Sequence, residues 1–174
     1  MGIKEKIEKD FQKALKERKV IEISTLRMLK AAIFNKEKEK RYKLSQAGTR
    51  EAGAELKKEE LEKESQLMDD EVIEVLSSEI KKRKEALILF ERGKRKDLAK
   101  KEKAEMKILQ NYLPEQFSEE EIRKLIEEAI KKTGAKEIKD MGKVMSELMP
   151  KVKGKADGSL VSKIVKEVLI SKND

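Results

Sequence analysis

The apolar residues of this 174-residue chain recur every third or fourth position against a charged background, and no region alternates convincingly with period two. Ile3, Ile7, Phe11 and Leu15 fall four apart with Ala14 beside them, which lays one apolar stripe along a first amphipathic helix ending near Arg18. Ile23, Leu26, Leu29, Ile33 and Phe34 repeat the pattern from about Val20 in a second, longer helix. Asp69 is placed to cap a third, with Val72, Leu76, Ile80, Leu87 and Phe90 as its buried face and Gly93 as its left-handed stop. A basic turn, Lys94 to Lys96, leads into a fourth helix carrying Leu98, Met106, Leu109 and Leu113, which Pro114 ends.

Ser118 and Glu121 form a capping box, each satisfying a free group of the other at the start of the next helix. That helix carries Ile122, Leu125, Ile126, Ala129 and Ile130, and Thr133-Gly134 closes it. Asp140 opens a short helix with Met141, Val144, Met145, Leu148 and Met149 before Pro150. Asp157 opens the last, with Leu160, Val161, Ile164, Val165, Val168 and Leu169. The fold expected is all-α and multihelical, with an N-terminal helical bundle domain over 1–115 and a C-terminal three-helix domain over 118–174. The segment 42–68 reads as a charged insertion: its apolar positions thin to Leu44, Leu56, Leu61 and Leu67, and Gly48 and Gly53 each weaken a helix by ~1 kcal/mol against Ala. A solvated or partly frayed helix is expected there.

Composition removes much of enzyme chemistry. The chain has no Cys and no His, so thiolate catalysis, thiolate-bound metals and the commonest general base are absent. Aromatic residues make up 3%, and Trp is missing, so no aromatic-lined pocket of any size is expected. Charged residues reach 45%, with abundant Lys and Glu, three Asn and five Gln, a bias resembling that of heat-adapted proteins. No stretch approaches the ~20 apolar residues of a membrane span, and the first residues lack an apolar signal core. A cytoplasmic protein with no membrane partner is expected. The net charge of +8 gives polyanions a long-range attraction.

The candidate sites follow from this charge. Lys151, Lys153 and Lys155 surround Gly154 in a loop between Pro150 and the last helix, whose free amides and dipole favour a phosphate. Asp157 could instead cap those amides and leave the lysines as solvated surface. Gly142, beside Lys143, either admits an RNA backbone near a helix start or allows close helix packing. Lys81 to Lys103 holds eleven basic residues against four acidic ones, which either extends an RNA footprint or forms a solvated face. Within it Arg83 lies on the inward face and needs a carboxylate, with Glu102 or Glu105 as the candidates; a structural ion pair is expected. Met141, Met145 and Met149 fit core filling better than an adaptable groove. No Phe, Tyr or Trp occurs between Ser118 and Asp174, so reading of RNA shape or backbone suits this region better than base stacking. Clustered Glu residues read as solvated helix faces, and no catalytic set, metal site or cofactor site is assigned.

STLRMLKAAIFNKEKEK at Ser24 to Lys40, EVIEVLSSEIKKRKEA at Glu71 to Ala86, LQNYLPEQFSEEE at Leu109 to Glu121 and, most specifically, MGKVMSELMPKVKGKADGSLV at Met141 to Val161 resemble the YqeY family. The resemblance covers nearly the whole chain except 42–68. It implies a C-terminal GatB/YqeY-like unit shared with the tail of the B subunit of tRNA-dependent glutamyl/aspartyl amidotransferase, which helps hold tRNA. That subunit's turn before the last helix is matched by Gly154, Lys155, Ala156, Asp157 and Gly158, with Asp-Gly replacing Asn-Pro. The partners so implied are tRNA or other folded RNA, and amidotransferase or aminoacyl-tRNA synthetase components. RNA-binding residues would be Lys143, Lys151, Lys153, Gly154, Lys155 and Gly158; structural ones would be Arg83, Glu102, Glu105, Ser118, Glu121, Gly142 and Asp157. A non-catalytic tRNA-binding or amidotransferase-associated accessory role is expected. The alternatives are a component of glutamine-dependent tRNA amide transfer, after the family's label of carbon-nitrogen ligase with glutamine as amido-N-donor, and a helical protein-interaction adaptor.

Overall fold

The computed structural model describes the backbone of residues 1–51 and 58–171 and the side chains of 1–46 and 59–171. Among the described residues every regular element is helical, so the protein is all-α and multihelical: α1 (Ile3–Lys16), α2 (Val20–Glu51), α3 (Lys58–Glu64), α4 (Asp69–Arg92), α5 (Lys96–Gln110), α6 (Glu119–Thr133), α7 (Met141–Val152) and α8 (Gly158–Ser171), with a 3-10 turn at Ile138–Asp140. Two compact units divide the chain, Met1–Tyr112 and Leu113–Asp174.

In the first unit α2 packs against α1, α4 and α5. Its apolar core includes Ile7 and Ala14 of α1, Leu26, Leu29 and Ile33 of α2, Val72, Val75, Leu76 and Ile80 of α4, and Ala99 and Leu109 of α5. Four periodicity readings need correcting here. Leu15 is exposed, and the inner line of α1 runs through Ala14 instead; Phe34 of α2 is exposed; Leu87 and Phe90 are only half-buried at the end of α4. Asp69 does not cap α4. Its Oδ1 accepts from the Ile3 amide at 2.9 Å, so it caps α1 across the bundle, while Glu71 Oε2 takes the Met68 amide at 2.8 Å. Gly93 has φ −77°, and the left-handed residue of that turn is Lys94 at φ 56°.

The segment 42–68 also departs from expectation. α2 runs on through Gly48 to Glu51, because one interior glycine costs only ~1 kcal/mol while each further residue adds a backbone hydrogen bond. Gly53 lies outside the described residues. The far end is tied down: the Leu67 amide donates to Glu37 at 3.1 Å, Arg41 Nε donates to Ser65 Oγ at 3.2 Å, and both Ser65 and Leu67 are buried.

In the second unit α6, α7 and α8 enclose Ile122, Ile126, Ala129, Ile130, Val144, Leu148, Val152, Val161, Ile164, Val165 and Leu169. The Ser118 hydroxyl accepts from the Glu121 amide at 3.3 Å and Glu121 Oε2 accepts from the Ser118 amide at 2.7 Å. The Ser118 amide and hydroxyl, both donating to Glu121 Oε2, hold that carboxyl below its usual range. Gly134, at φ 67°, makes the left-handed close of α6. Pro150 does not end α7, which continues to Val152; Val152 is buried, and its carbonyl accepts from Lys155 and Ala156, so packing and the following turn hold the last residues despite the amide that proline lacks. Leu160, read as core, is exposed.

Phe117 packs on this core and its amide donates to the Lys155 carbonyl at 2.8 Å, although the domain bounds read from the sequence, 1–115 and 118–174, leave it between the two. We therefore expect a fragment beginning at Leu113 to be more stable than one beginning at Ser118 by about 1–2 kcal/mol, from partial burial of one aromatic ring. Urea melts of the two fragments measure this. Equal midpoints would mean that Phe117 adds nothing, and absence of a cooperative transition in both would show that the unit does not fold alone.

Candidate nucleic-acid interface

The last turn of α7, the residues after it and the start of α8 bring Lys151, Lys153, Gly154, Lys155 and Gly158 into one segment. Gly154 has φ 72°, which a side chain would strain, and the Lys155 and Ala156 amides close the turn on the Val152 carbonyl at 2.9 and 3.0 Å. Gln116 Nε2 donates to the Gly154 carbonyl at 2.7 Å, and with the Phe117 bond this fixes the turn against the chain that enters α6. Its shape is thus set by backbone bonds, leaving side chains outside.

The lysine heads have neighbours. Lys155 Nζ lies 5.3 Å from the centre of the Phe117 ring, and Lys151 Nζ lies 3.5 Å from Glu147, which also receives Lys132 at 2.7 Å. Lys143 pairs with Asp140 at 2.9 Å; that lysine, with the amides of Lys136 and Glu137, pulls the Asp140 carboxyl down to about 2. Asp140 therefore does not cap α7. Lys143 stands apart from the turn, eight residues before Lys151 on α7, a rise of roughly 12 Å. Asp157 Oδ1 accepts from the Ser159 amide at 2.9 Å, so a carboxylate occupies the first turn of α8. Close packing does not explain Gly142: a Cβ there, as at Gly158, would meet nothing within 4 Å.

Arg83 is buried and paired, with Nε 2.9 Å from Glu105 and Nη1 2.8 Å from Glu79. Glu102 is not its partner. Sequence reasoning missed Glu79, although its position one turn before Arg83 on the same helix is the signal that finds it. Burial raises the Glu79 carboxyl, but bonds from Lys82 and Arg83 outweigh it and hold the group below its usual range. The Lys81–Lys103 surface is correspondingly thinner than its eleven cations suggest. Arg83 is interior, and Lys82, Lys101, Lys103 and Arg95 each face a carboxylate. Between α2 and α4 lies an open cleft of about 800 Å³ floored by Ala31, Ala32 and Val75, whose rim charges pair among themselves as Lys36–Glu39 and Lys82–Glu79. Met141 and Met145 pack on the core of the second unit, and Met149 is exposed.

A family model described as Yqey-like protein matches residues 47–169, which takes in α4 to α7 and most of α8. The chain belongs to the YqeY family. The match includes 47–68, read above as an insertion, and leaves out Ser24 to Lys40. A relative from Pyrenophora tritici-repentis, named altered inheritance of mitochondria protein 41, mitochondrial, is 34% identical over 108 residues, 60% of this chain and 59% of that protein. An uncharacterised protein of Schizosaccharomyces pombe is 44% identical over 50 residues, 29% of this chain and 41% of that one. This YqeY protein thus spans less than two thirds of the length of either relative. Among the described residues no helix is long and apolar enough to cross a membrane.

Proposed function

We propose that this YqeY-family chain is a non-catalytic accessory protein of the cytoplasm that holds folded RNA, tRNA first among candidates, through the Lys151–Lys155 turn. The amidotransferase or aminoacyl-tRNA synthetase components that the resemblance implies are the proposed protein partners. The observation that carries the reading is the turn itself: a left-handed Gly154, fixed by the Gln116 and Phe117 bonds, with lysines before and after it. The Lys151–Glu147 pair is no obstacle, since exposed pairs are typically worth ~0–1 kcal/mol and a phosphate replaces the carboxylate at little cost. Because Asp157 already takes the Ser159 amide, the lysine charges, more than the α8 amides, supply the attraction.

Replacing Lys151, Lys153 and Lys155 with Ala should weaken tRNA binding and leave helicity unchanged. With each lysine neutralising one phosphate, the plot of log affinity against log salt becomes shallower by about two to three units, at ~0.9 per contact. Lys143→Ala, toward the other end of α7, should have the smaller effect. Unchanged affinity and slope in a folded triple variant removes this turn as the RNA contact, and no tRNA binding by the parent chain at low salt removes the reading.

A further inference from the structure

The first unit gathers two three-residue turns, 17–19 and 93–95, at one end. α1 runs antiparallel to α2, since Lys4 pairs with Glu37 and Glu8 with Lys30, so the turn between them opens α2. α2 runs antiparallel to α4: Lys40 meets Glu71 at 2.8 Å, and Met28 meets Arg83 at 3.9 Å after equal steps along both helices. Continuing that register sets Ile21 level with Phe90. Each turn carries a cation in left-handed conformation, Arg18 at φ 55° and Lys94 at φ 56°.

Four aliphatic side chains stand in solvent around this end: Val20 is 76% exposed, Leu89 65%, Ile88 50% and Ile21 45%. Lys16, Arg18, Arg92, Lys94, Lys96 and Lys100 are exposed with them and have no ion-pairing carboxylate among the described residues, while Lys19 and Arg95 are satisfied locally by Glu17 and Asp97. An RNA would neutralise the cations and leave the aliphatics wet, and the nearest aromatic ring, Phe90, is half-buried and unsuited to base stacking. A protein partner would need an acidic concavity shaped to a convex, four-pronged end. A bilayer interface conforms to such an end without one.

The geometry points to an anionic lipid surface as the ligand of this end, with Val20, Ile21, Ile88 and Leu89 entering the boundary between headgroups and acyl chains and the ring of cations facing lipid phosphates. This is attachment to a surface and needs no membrane-crossing helix. The expectation of no membrane partner came from the lack of a spanning segment, which is silent on folded surfaces. The inference stands apart from the RNA reading, which uses the other unit.

The test is sedimentation of the full chain with vesicles of phosphatidylcholine alone and with about one third phosphatidylglycerol. The anionic vesicles should carry the protein down at low salt, the neutral ones should not, and high salt should release it. Arg92→Gln with Lys96→Gln should lower partitioning roughly 25-fold, at about fivefold per cation. Ile88→Ser with Leu89→Ser should lower it about tenfold with helicity unchanged, as both side chains are already in water. The Lys151, Lys153, Lys155 triple Ala variant should sediment like the parent. No binding to anionic vesicles overturns the inference, as does binding untouched by the Ile88 and Leu89 changes. Loss of tRNA affinity without loss of lipid binding in the Arg92 and Lys96 variant assigns this end to RNA and also overturns it.

Discussion

Arg83→Met is expected to destabilise the first unit by about 3–5 kcal/mol, the cost of leaving carboxylates buried without their cation. Arg83, Glu79 and Glu105 are all buried, and the guanidinium bridges α4 to α5 by its 2.9 Å bond to Glu105 while holding Glu79 on its own helix at 2.8 Å. Lys82 and Lys101 reach these carboxylates only from the solvent side. Met restores the volume and none of the charge. Replacing Arg83 and Glu105 together with Met and Leu should recover much of the loss, because an apolar substitute for a buried pair is often neutral.

The pH dependence gives a second readout. The Glu79 carboxyl is depressed in the folded state, so its contribution is fully present above its ordinary pKa of 4.5 and is lost as pH falls through the lower folded value. Below about pH 4.5 the parent therefore loses stability, whereas Glu79 in the variant relieves its own burial by taking a proton. The gap between parent and variant, measured by urea melts across this range, should narrow toward acid. A constant gap, or one under about 1 kcal/mol at neutral pH, would show that the cluster is not held as a charged unit.

Ile126→Ala should open the second unit selectively. Ile126 is fully buried among α6, α7 and α8, and removing such a side chain costs about 2–5 kcal/mol. A unit of some sixty residues has roughly 3–9 kcal/mol in total at the usual 0.05–0.15 per residue, so one deletion consumes much of it. Hydrogen exchange on the full chain should lose protection across Glu119–Thr133, Met141–Val152 and Gly158–Ser171 and retain it in α4 and α5. Leu160→Ala is the control: the periodicity of α8 marks Leu160 as core, but it is 40% exposed, and its truncation should cost well under half as much. Equal effects at the two positions would contradict the burial pattern, and loss of protection in both units would contradict their independence.

Features decided within one helical turn were legible in the sequence. The Ser118–Glu121 box, the closing Gly134, the stripe of α6 and the inner lines Leu26–Leu29–Ile33 of α2 and Val72–Leu76–Ile80 of α4 depend on spacings of three and four residues, and the structure has them where the sequence puts them. The need of Arg83 for a carboxylate was legible too, since an inward charge on an apolar stripe cannot remain alone. Its partner was divided: Glu105 comes from across the bundle and Glu79 from the same helix, and Glu102 does not pair with it. Of the candidate interface, the sequence marks the lysines and Gly154, but not that Gln116 and Phe117 hold their turn in place.

Tertiary structure decided whatever needed two distant segments in register. Asp69 has the composition of a cap for α4, yet the amide that its carboxylate meets belongs to Ile3, 66 residues away. Pro150 and Gly48 carry local penalties of helix breakers, and burial of Val152 and extension of the backbone ladder outweigh them. Val20 and Leu89 look like two unrelated helix residues until antiparallel packing brings the ends of α2 and α4 level. Local rules price each residue against its own turn; which side chains stay wet, and which charges stand together, follows only from the surfaces that the packed helices leave uncovered.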